Sequence, residues 1–285
     1  MTPPPPVEPA SGPAPSGLRW SGRTDRGRYR PNNEDSFLGL RFNDHEVHHL
    51  GKLGEASLAD MDFVFAVSDG MGGAKAGEYA SQIAVEKITK LLPRAFKQSA
   101  EGLQAGFADV LAELYEEIHR ALVYLGGSYE ECHGMETTLS LGWFTPGWMF
   151  FGHVGDSRIY YLARESRQLK QITQDDTHVG WLLRNKMIRE YEARTHPGRN
   201  VLQKSLGGGN QFVEPQVGAV GLQPGDVFLL CTDGLSEGLY EHQIVDLLRE
   251  PPGGSVATSP ASRLVDTAVA NSGRDNTTAV VVQVV

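Results

Sequence analysis

Cysteine is scarce: Cys132 and Cys231 are the only two in 285 residues. A chain of this length can bury a sizeable core without covalent cross-links, so two reduced thiols are expected rather than a disulfide. Long apolar runs are missing too. None approaches the roughly 18 residues of a membrane span, and the first residues show no basic stretch followed by an apolar one. The expectation is therefore no membrane partner and a cytoplasmic location. An excess of basic residues is also lacking, since 26 Lys and Arg face 35 Asp and Glu for a net charge of −9. Nucleic-acid binding needs a basic stripe, so no nucleic-acid partner is expected.

What is present is an ordinary globular composition, 40% hydrophobic and 21% charged. Residues 1–17 are rich in Pro, Ala, Ser and Gly and read as a disordered tail. Residues 18–285 read as one domain. Strand-like runs cover 36–40, 61–68, 137–144, 148–155, 157–163, 227–232 and 278–285, with Thr145-Pro146-Gly147 as a turn between two of them. Helical spacing of apolar residues marks 76–92, 103–125, 235–249 and 261–271. Residues 43–60 read as a hairpin loop whose His45, His48 and His49 are solvated. The segment 251–260 is rich in Pro, Gly and Ser. The order is not a regular strand–helix alternation. It predicts an α+β fold, a central sandwich of two antiparallel β-sheets flanked by helices.

Acidic motifs cluster where apolar runs stop. Asp69 follows Phe63-Val64-Phe65-Ala66-Val67-Ser68, and Asp233 follows Val227-Phe228-Leu229-Leu230-Cys231-Thr232. Asn33-Glu34-Asp35, Gly155-Asp156-Ser157-Arg158 and Arg274-Asp275-Asn276 complete the set. A carboxylate at the end of a buried strand is costly unless it is paired or binds a metal. Asp69-Gly70-Met71-Gly72-Gly73 alone fits a capped turn as well as a metal loop; the other four motifs favour the metal. Glycine lets the chain approach an ion and adopt positive φ, which offers the Gly70 carbonyl as a ligand beside Asp69. Oxygen donors without patterned Cys or His point to Mg²⁺ or Mn²⁺ rather than zinc. Arg30, near Glu34 and Asp35, adds a cation suited to phosphate oxygens.

In this order Arg30…Asn33-Glu34-Asp35, Asp69-Gly70-Met71-Gly72-Gly73, Thr137-Thr138-Leu139, Gly155-Asp156-Ser157-Arg158, Thr173-Gln174-Asp175, His196-Pro197-Gly198-Arg199-Asn200, Thr232-Asp233-Gly234 and Arg274-Asp275-Asn276 resemble the metal-dependent type 2C Ser/Thr protein phosphatases (the PPM family) in bacterial form. The resemblance implies that Asp69 bridges two ions. It implies that Asp233 and Asp275 hold one of them and that the Gly70 carbonyl helps hold the other. Glu34 and Asp35 would act directly or through bound water. Asp156 matches a third, weaker metal position shared with Asp233, and Arg30 matches the phosphate-binding arginine. A water between two ions about 3.5–4 Å apart would lose a proton near neutral pH and attack phosphorus in line. Phosphorylated proteins would be the substrates, with a cognate Ser/Thr kinase as counterpart.

Three positions depart from the family pattern. Met71 stands where many eukaryotic members carry a histidine proposed as general acid. Glu136 replaces a glycine before the Thr pair. Asp176 stands where a histidine often follows Asp175. Residues 179–195 occupy the place of the family's mobile flap and read as amphipathic and basic, with Trp181, Arg184, Lys186 and Arg189. The rival readings are a non-catalytic phosphoprotein-binding regulatory module on the same fold and an enzyme acting on small phosphate esters.

Overall fold

The computed structural model describes residues 16–72, 76–100, 106–209, 213–249 and 258–285. The tail expected over 1–17 thus lies outside the described residues except at its end, where Gly17 already belongs to a strand. Gly73, Leu103 and most of 251–260 lie outside them as well.

The chain runs β1 (Gly17–Asp25), β2 (Asp35–Phe42), β3 (Val47–His49), β4 (Leu53–Ser57) and β5 (Asp62–Met71), then helices α1 (Ala76–Ala100) and α2 (Phe107–Ser128). It continues through β6 (Glu136–Thr137), β7 (Leu139–Thr145), β8 (Trp148–Val154), β9 (Arg158–Leu162) and β10 (Lys170–Gln171). Short helices α3 (His178–Arg184) and α4 (Glu190–Thr195) precede β11 (Leu206–Gly207), β12 (Gln216–Gly221) and β13 (Val227–Cys231). Helices α5 (Asp233–Gly238), α6 (Glu241–Arg249) and α7 (Pro260–Asn271) lead into β14 (Thr277–Val284). Among the described residues the strands form two antiparallel sheets. One has the order β10-β9-β13-β14-β1-β4; the other runs β11-β6-β5-β7-β8-β12, with β2 on β5 and β3 on β2.

Alternation along each strand builds the layers, because successive side chains point to opposite faces. In β5, Phe63, Phe65 and Val67 face the other sheet, and Val64 and Ala66 face α1 and α2. In β13, Phe228 and Leu230 face inward while Leu229 and Cys231 pack with Leu264 and Val265 of α7. Both faces of these strands are covered, which is why they read as unbroken apolar runs. Phe144 meets Phe228 edge-on at 5.4 Å between ring centres, which locks the two sheets face to face.

Three expectations need correction. Residues 43–60 are not a hairpin loop: β3 pairs with β2 in one sheet and β4 with β1 in the other. Both strands are largely exposed, so they carry no apolar signal. The helix expected over 235–249 is two helices, broken at Leu239, whose backbone is extended. Asn271 of α7 donates to the Gly238 carbonyl at 3.0 Å and satisfies the end of α5 there. Four further strands, β1, β10, β11 and β12, lie outside the expected runs; β10 and β11 are two residues each, and glycines dilute the apolar pattern of β12.

Trp143 on the helix-facing side of β7 donates Nε1–H to Asp62 Oδ2 at 2.8 Å. Burial pushes the Asp62 carboxyl up to about 6, opposed by that hydrogen bond. Its stabilising contribution is present at acid pH and lost as pH rises through about 6. Trp143→Phe removes the donor and leaves a buried carboxylate short of a partner, at a cost of about 1–3 kcal/mol. Urea unfolding should show a larger loss at alkaline pH, where Asp62 is ionised, than at acid pH; an equal loss would contradict this account.

Candidate metal centre

Side-chain parity decides where the carboxylates gather. Asp69 shares the odd-numbered face of β5 with Phe63, Phe65 and Val67, and Asp35 shares the face of β2 that carries Phe37. The two aspartates sit opposite one another in the β2–β5 register. Both therefore point between the sheets, at the end where the aromatic core stops. The chain turns at β8–β9, β13–α5 and the loop before β14 bring Asp156, Asp233 and Asp275 to the same end. Arg30, Glu34, Asp69, Gly70, Asp156, Asp233 and Asp275 all line one cleft of about 370 Å³.

Asp69 is held by its backbone. Its N–H donates to Thr138 Oγ1 at 3.0 Å, and its carbonyl accepts from Thr137 Oγ1 at 2.8 Å and from the Thr138 N–H at 2.9 Å. Ser68 Oγ donates to the Thr138 carbonyl at 2.7 Å. The carboxylate is thus left for the cleft. Asn276 ties the loops together: its Nδ2 donates to the Arg26 and Asn32 carbonyls at 2.9 Å each, and its Oδ1 accepts from the Glu34 N–H at 2.8 Å. Beside Asp156, the Gly155 N–H donates to Asp176 Oδ2 at 3.1 Å, and the Gly155 carbonyl accepts from His153 Nε2 at 3.0 Å. Burial lowers the His153 pKa, which keeps the ring neutral in that role.

Gly70 corrects one expectation. Its φ is not positive; Gly72 has that conformation, at 126°. A Cβ on Gly70 would stand 1.9 Å from the Gly77 carbonyl oxygen, so glycine is required by the close passage of α1. A Cβ on Gly234 would meet the Asn276 carbonyl oxygen at 2.0 Å for the same reason.

The electrostatics call for a cation. Burial raises the Asp69 carboxyl well above its ordinary value, and Asp35, Asp233, Asp156 and Asp275 add to the effect. Asp233 is raised by burial and then by Asp156 and Asp275. Asp35 is pushed up to about 7 by burial, against hydrogen bonds from Thr278 and Thr232. Asp156 reaches about 7 through burial and the nearby Asp175, opposed by Arg158. Two buried oxygens, Asp35 Oδ1 and Asp233 Oδ1, have no hydrogen-bond partner. Asp35 lies below the cleft wall, where its Oδ2 accepts from Thr232 at 2.8 Å and Thr278 at 2.7 Å. Among the described residues no three acidic, histidine or cysteine side chains are already drawn together as a ready ligand cage. Mg²⁺ commonly takes only one or two carboxylates and keeps several waters, so an open ring of oxygens still fits it. Arg30 donates to Asp275 Oδ2 at 2.6 Å from the rim.

A model of protein phosphatase 2C matches residues 52–251. The chain belongs to the protein phosphatase 2C family. It is 35% identical over 272 residues to the serine/threonine protein phosphatase PstP of Mycobacterium tuberculosis, covering 94% of this chain and 45% of that protein. This family member thus spans less than half the length of that relative. It is 32% identical over 262 residues to the serine/threonine phosphatase Stp of Listeria welshimeri, covering 92% of this chain and 94% of that one. The PstP catalytic domain, solved in complex with two manganese ions, superposes with a TM-score of 0.73 at 30% identity, over 94% of this chain and 99% of that domain. The sandwich architecture is that of the family.

The departures now have structural places. Glu136 sits in the β5–β6 ladder opposite Met71, and its Oε2 accepts from Ser205 at 2.8 Å. Asp176 anchors the Gly155 turn. His196 Nδ1 accepts from the Gly198 N–H at 3.1 Å, a local structural bond. Met71 lines the cleft. Asn200, from His196-Pro197-Gly198-Arg199-Asn200, also lines it and was not singled out; only its place in that motif hinted at a role. Nothing in the sequence around Thr232, Thr278 and Asn276 marks the anchoring bonds they make.

Raised carboxyl pKa values make the metal-free fold favour protonation, so stability from Asp35 and Asp156 is present at acid pH and lost as pH rises through about 7. A divalent cation reverses this. The rise in Tm on adding Mn²⁺ should be small at mildly acid pH and grow as the medium becomes alkaline. A pH-independent increment in differential scanning fluorimetry would contradict the assignment.

Proposed function

We propose that this chain is a Mg²⁺/Mn²⁺-dependent protein serine/threonine phosphatase. The observation that supports it most directly is a cleft walled by Asp69, Asp156, Asp233 and Asp275 from separate segments, with two unpartnered buried carboxylate oxygens at hand and Arg30 at its edge. The donor set is all oxygen. Asp69, Asp233, Asp275 and the Gly70 carbonyl would hold two ions; Glu34, Asp35 and Asp156 would steady the surrounding waters or a third ion. When bound, such ions supply positive charge for phosphoryl oxygens and lower the pKa of water.

The protein's own contribution is position. The Thr137–Thr138 clamp fixes the Asp69 backbone, the base from which its carboxylate enters the cleft. Arg30 is half-exposed, and its contact with Asp275 engages one nitrogen of a group with five donors. The remaining donors suit the equatorial oxygens of a phosphoryl group. Water oxygen bonds to phosphorus as the ester P–O bond breaks, and the departing serine or threonine oxygen takes a proton. Among the described residues lining the cleft there is no histidine, lysine, cysteine or tyrosine, and Met71 cannot donate. In this reading that proton is supplied by water in the cleft. Neither cysteine takes part; burial holds the Cys231 thiol up at about 12, far from a thiolate nucleophile.

Phosphorylated proteins are the proposed substrates, and a Ser/Thr kinase is the class of enzyme that must supply them. A purely phosphoprotein-binding module would not need so many uncompensated carboxylates, which disfavours that alternative. Asp69→Asn should lower Mn²⁺-dependent turnover of a phosphothreonine peptide by orders of magnitude while circular dichroism stays native. Near wild-type turnover would overturn the reading. Faster hydrolysis of phosphotyrosine peptides or of a diester would replace the substrate class.

A further inference from the structure

A second, larger cleft of about 690 Å³ adjoins the first. Asp156, Asn200 and Asp233 line both, so the two are continuous. One wall comes from α3 and the segment that follows it, including Leu183 and Arg199; the other comes from α5 and the loop carrying Arg274. An extended chain whose phosphorylated residue sits in the first cleft would lay its neighbours in this one.

The charges along it are mostly spoken for. Arg158 grips Asp175 with two nitrogens, at 2.6 Å for the shorter contact. Arg199 and Asn200 both meet Glu237 at 3.4 Å. Glu241 is engaged within the protein. Asp156 and Asp233 belong to the metal centre. Arg274 is exposed and makes no hydrogen bond or ion pair with the described residues. Its backbone is nevertheless fixed, because Asp275 and Asn276 beside it are pinned by Arg30 and by the bonds to Arg26, Asn32 and Glu34. A held backbone with an unengaged guanidinium, in a groove leading from the reacting centre, is the arrangement that reads an anion on a passing chain.

We infer that Arg274 selects phosphopeptides carrying an acidic side chain close to the phosphorylated residue, by pairing with that side chain in the second cleft. The inference rests on the phosphatase reading and deepens it. A partly enclosed charge pair is worth roughly a fivefold change in rate.

The test uses the full chain with Mn²⁺ and phosphothreonine peptides in which Glu, Ala or Lys occupies each flanking position in turn, with p-nitrophenyl phosphate alongside. At one flanking position kcat/KM should rank Glu above Ala above Lys. Arg274→Ala should level the three, and Arg274→Glu should reverse the order, a result that misfolding cannot produce. If no flanking position separates Glu from Lys, or if the wild-type ranking survives in both variants, the inference is overturned while the phosphatase reading stands. Hydrolysis of p-nitrophenyl phosphate without any peptide would also overturn it. Hydrolysis of neither would overturn the phosphatase reading itself and this inference with it.

Discussion

Mutual repulsion among carboxylates at one end of the sandwich is the constraint around which the rest is arranged. Two like charges about 4 Å apart repel by about 4 kcal/mol at an effective dielectric near 20. Several such groups share this end, and burial raises the pKa of each of Asp35, Asp69, Asp156 and Asp233. A fold tolerates that only if the surrounding structure is over-determined and the missing positive charge arrives from outside. Both conditions are visible. The inter-sheet aromatic core ends directly beneath the site, and hydroxyls and amides of Ser68, Thr137, Thr138 and Asn276 tie the backbones that carry the acids. Among the described residues lining this cleft, positive charge comes from Arg30 at the rim, and Arg158 nearby is already engaged by Asp175.

Rigidity and adaptability are divided between regions. The carboxylates stand on or beside strands whose both faces are packed. The segment with α3 and α4 has little core of its own: Val179 is buried, while Trp181, Met187 and Tyr191 are exposed. It is held by polar ties such as Arg184 to the Asp175 carbonyl at 2.8 Å. Local openings are cheapest where few apolar contacts must be broken. In the proposed reading the wall facing Arg274 is therefore the one that adjusts to different peptides, while the carboxylate cleft keeps its geometry.

The sequence was most legible where a side chain's role shows in an apolar pattern. Strands β5, β13 and β14 stood out because both faces are buried, and the aspartates at or just beyond the ends of β5 and β13 stood out because an acid there needs a reason. Strands β3 and β4 carry mostly exposed residues, so nothing in their composition separates them from a loop. The anchoring residues were illegible for a related reason. Thr232 and Thr278 matter because both reach Asp35 across long sequence separations, and a threonine with a distant partner looks the same in one dimension as one facing solvent. Leu239, where α5 and α6 part, is apolar and fits a continuous helix. The break there comes with Asn271 of α7 docking onto the Gly238 carbonyl.

At the repeated Asp-Gly pair the physical cause of the glycine differs from the one its sequence suggests. Backbone freedom was the natural reason to expect glycine after Asp69 and Asp233. Neither Gly70 nor Gly234 uses it, since neither has positive φ. In both places a second backbone crosses within touching distance: that of Gly77 over Gly70, and that of Asn276 over Gly234. These crossings bring α1 against β5 and the Asp275 loop against α5. Glycine at these points is therefore what lets separate segments deliver their oxygens to one cleft. The pair recurs because the same packing problem, a carboxylate placed where two main chains meet, is solved twice at one site.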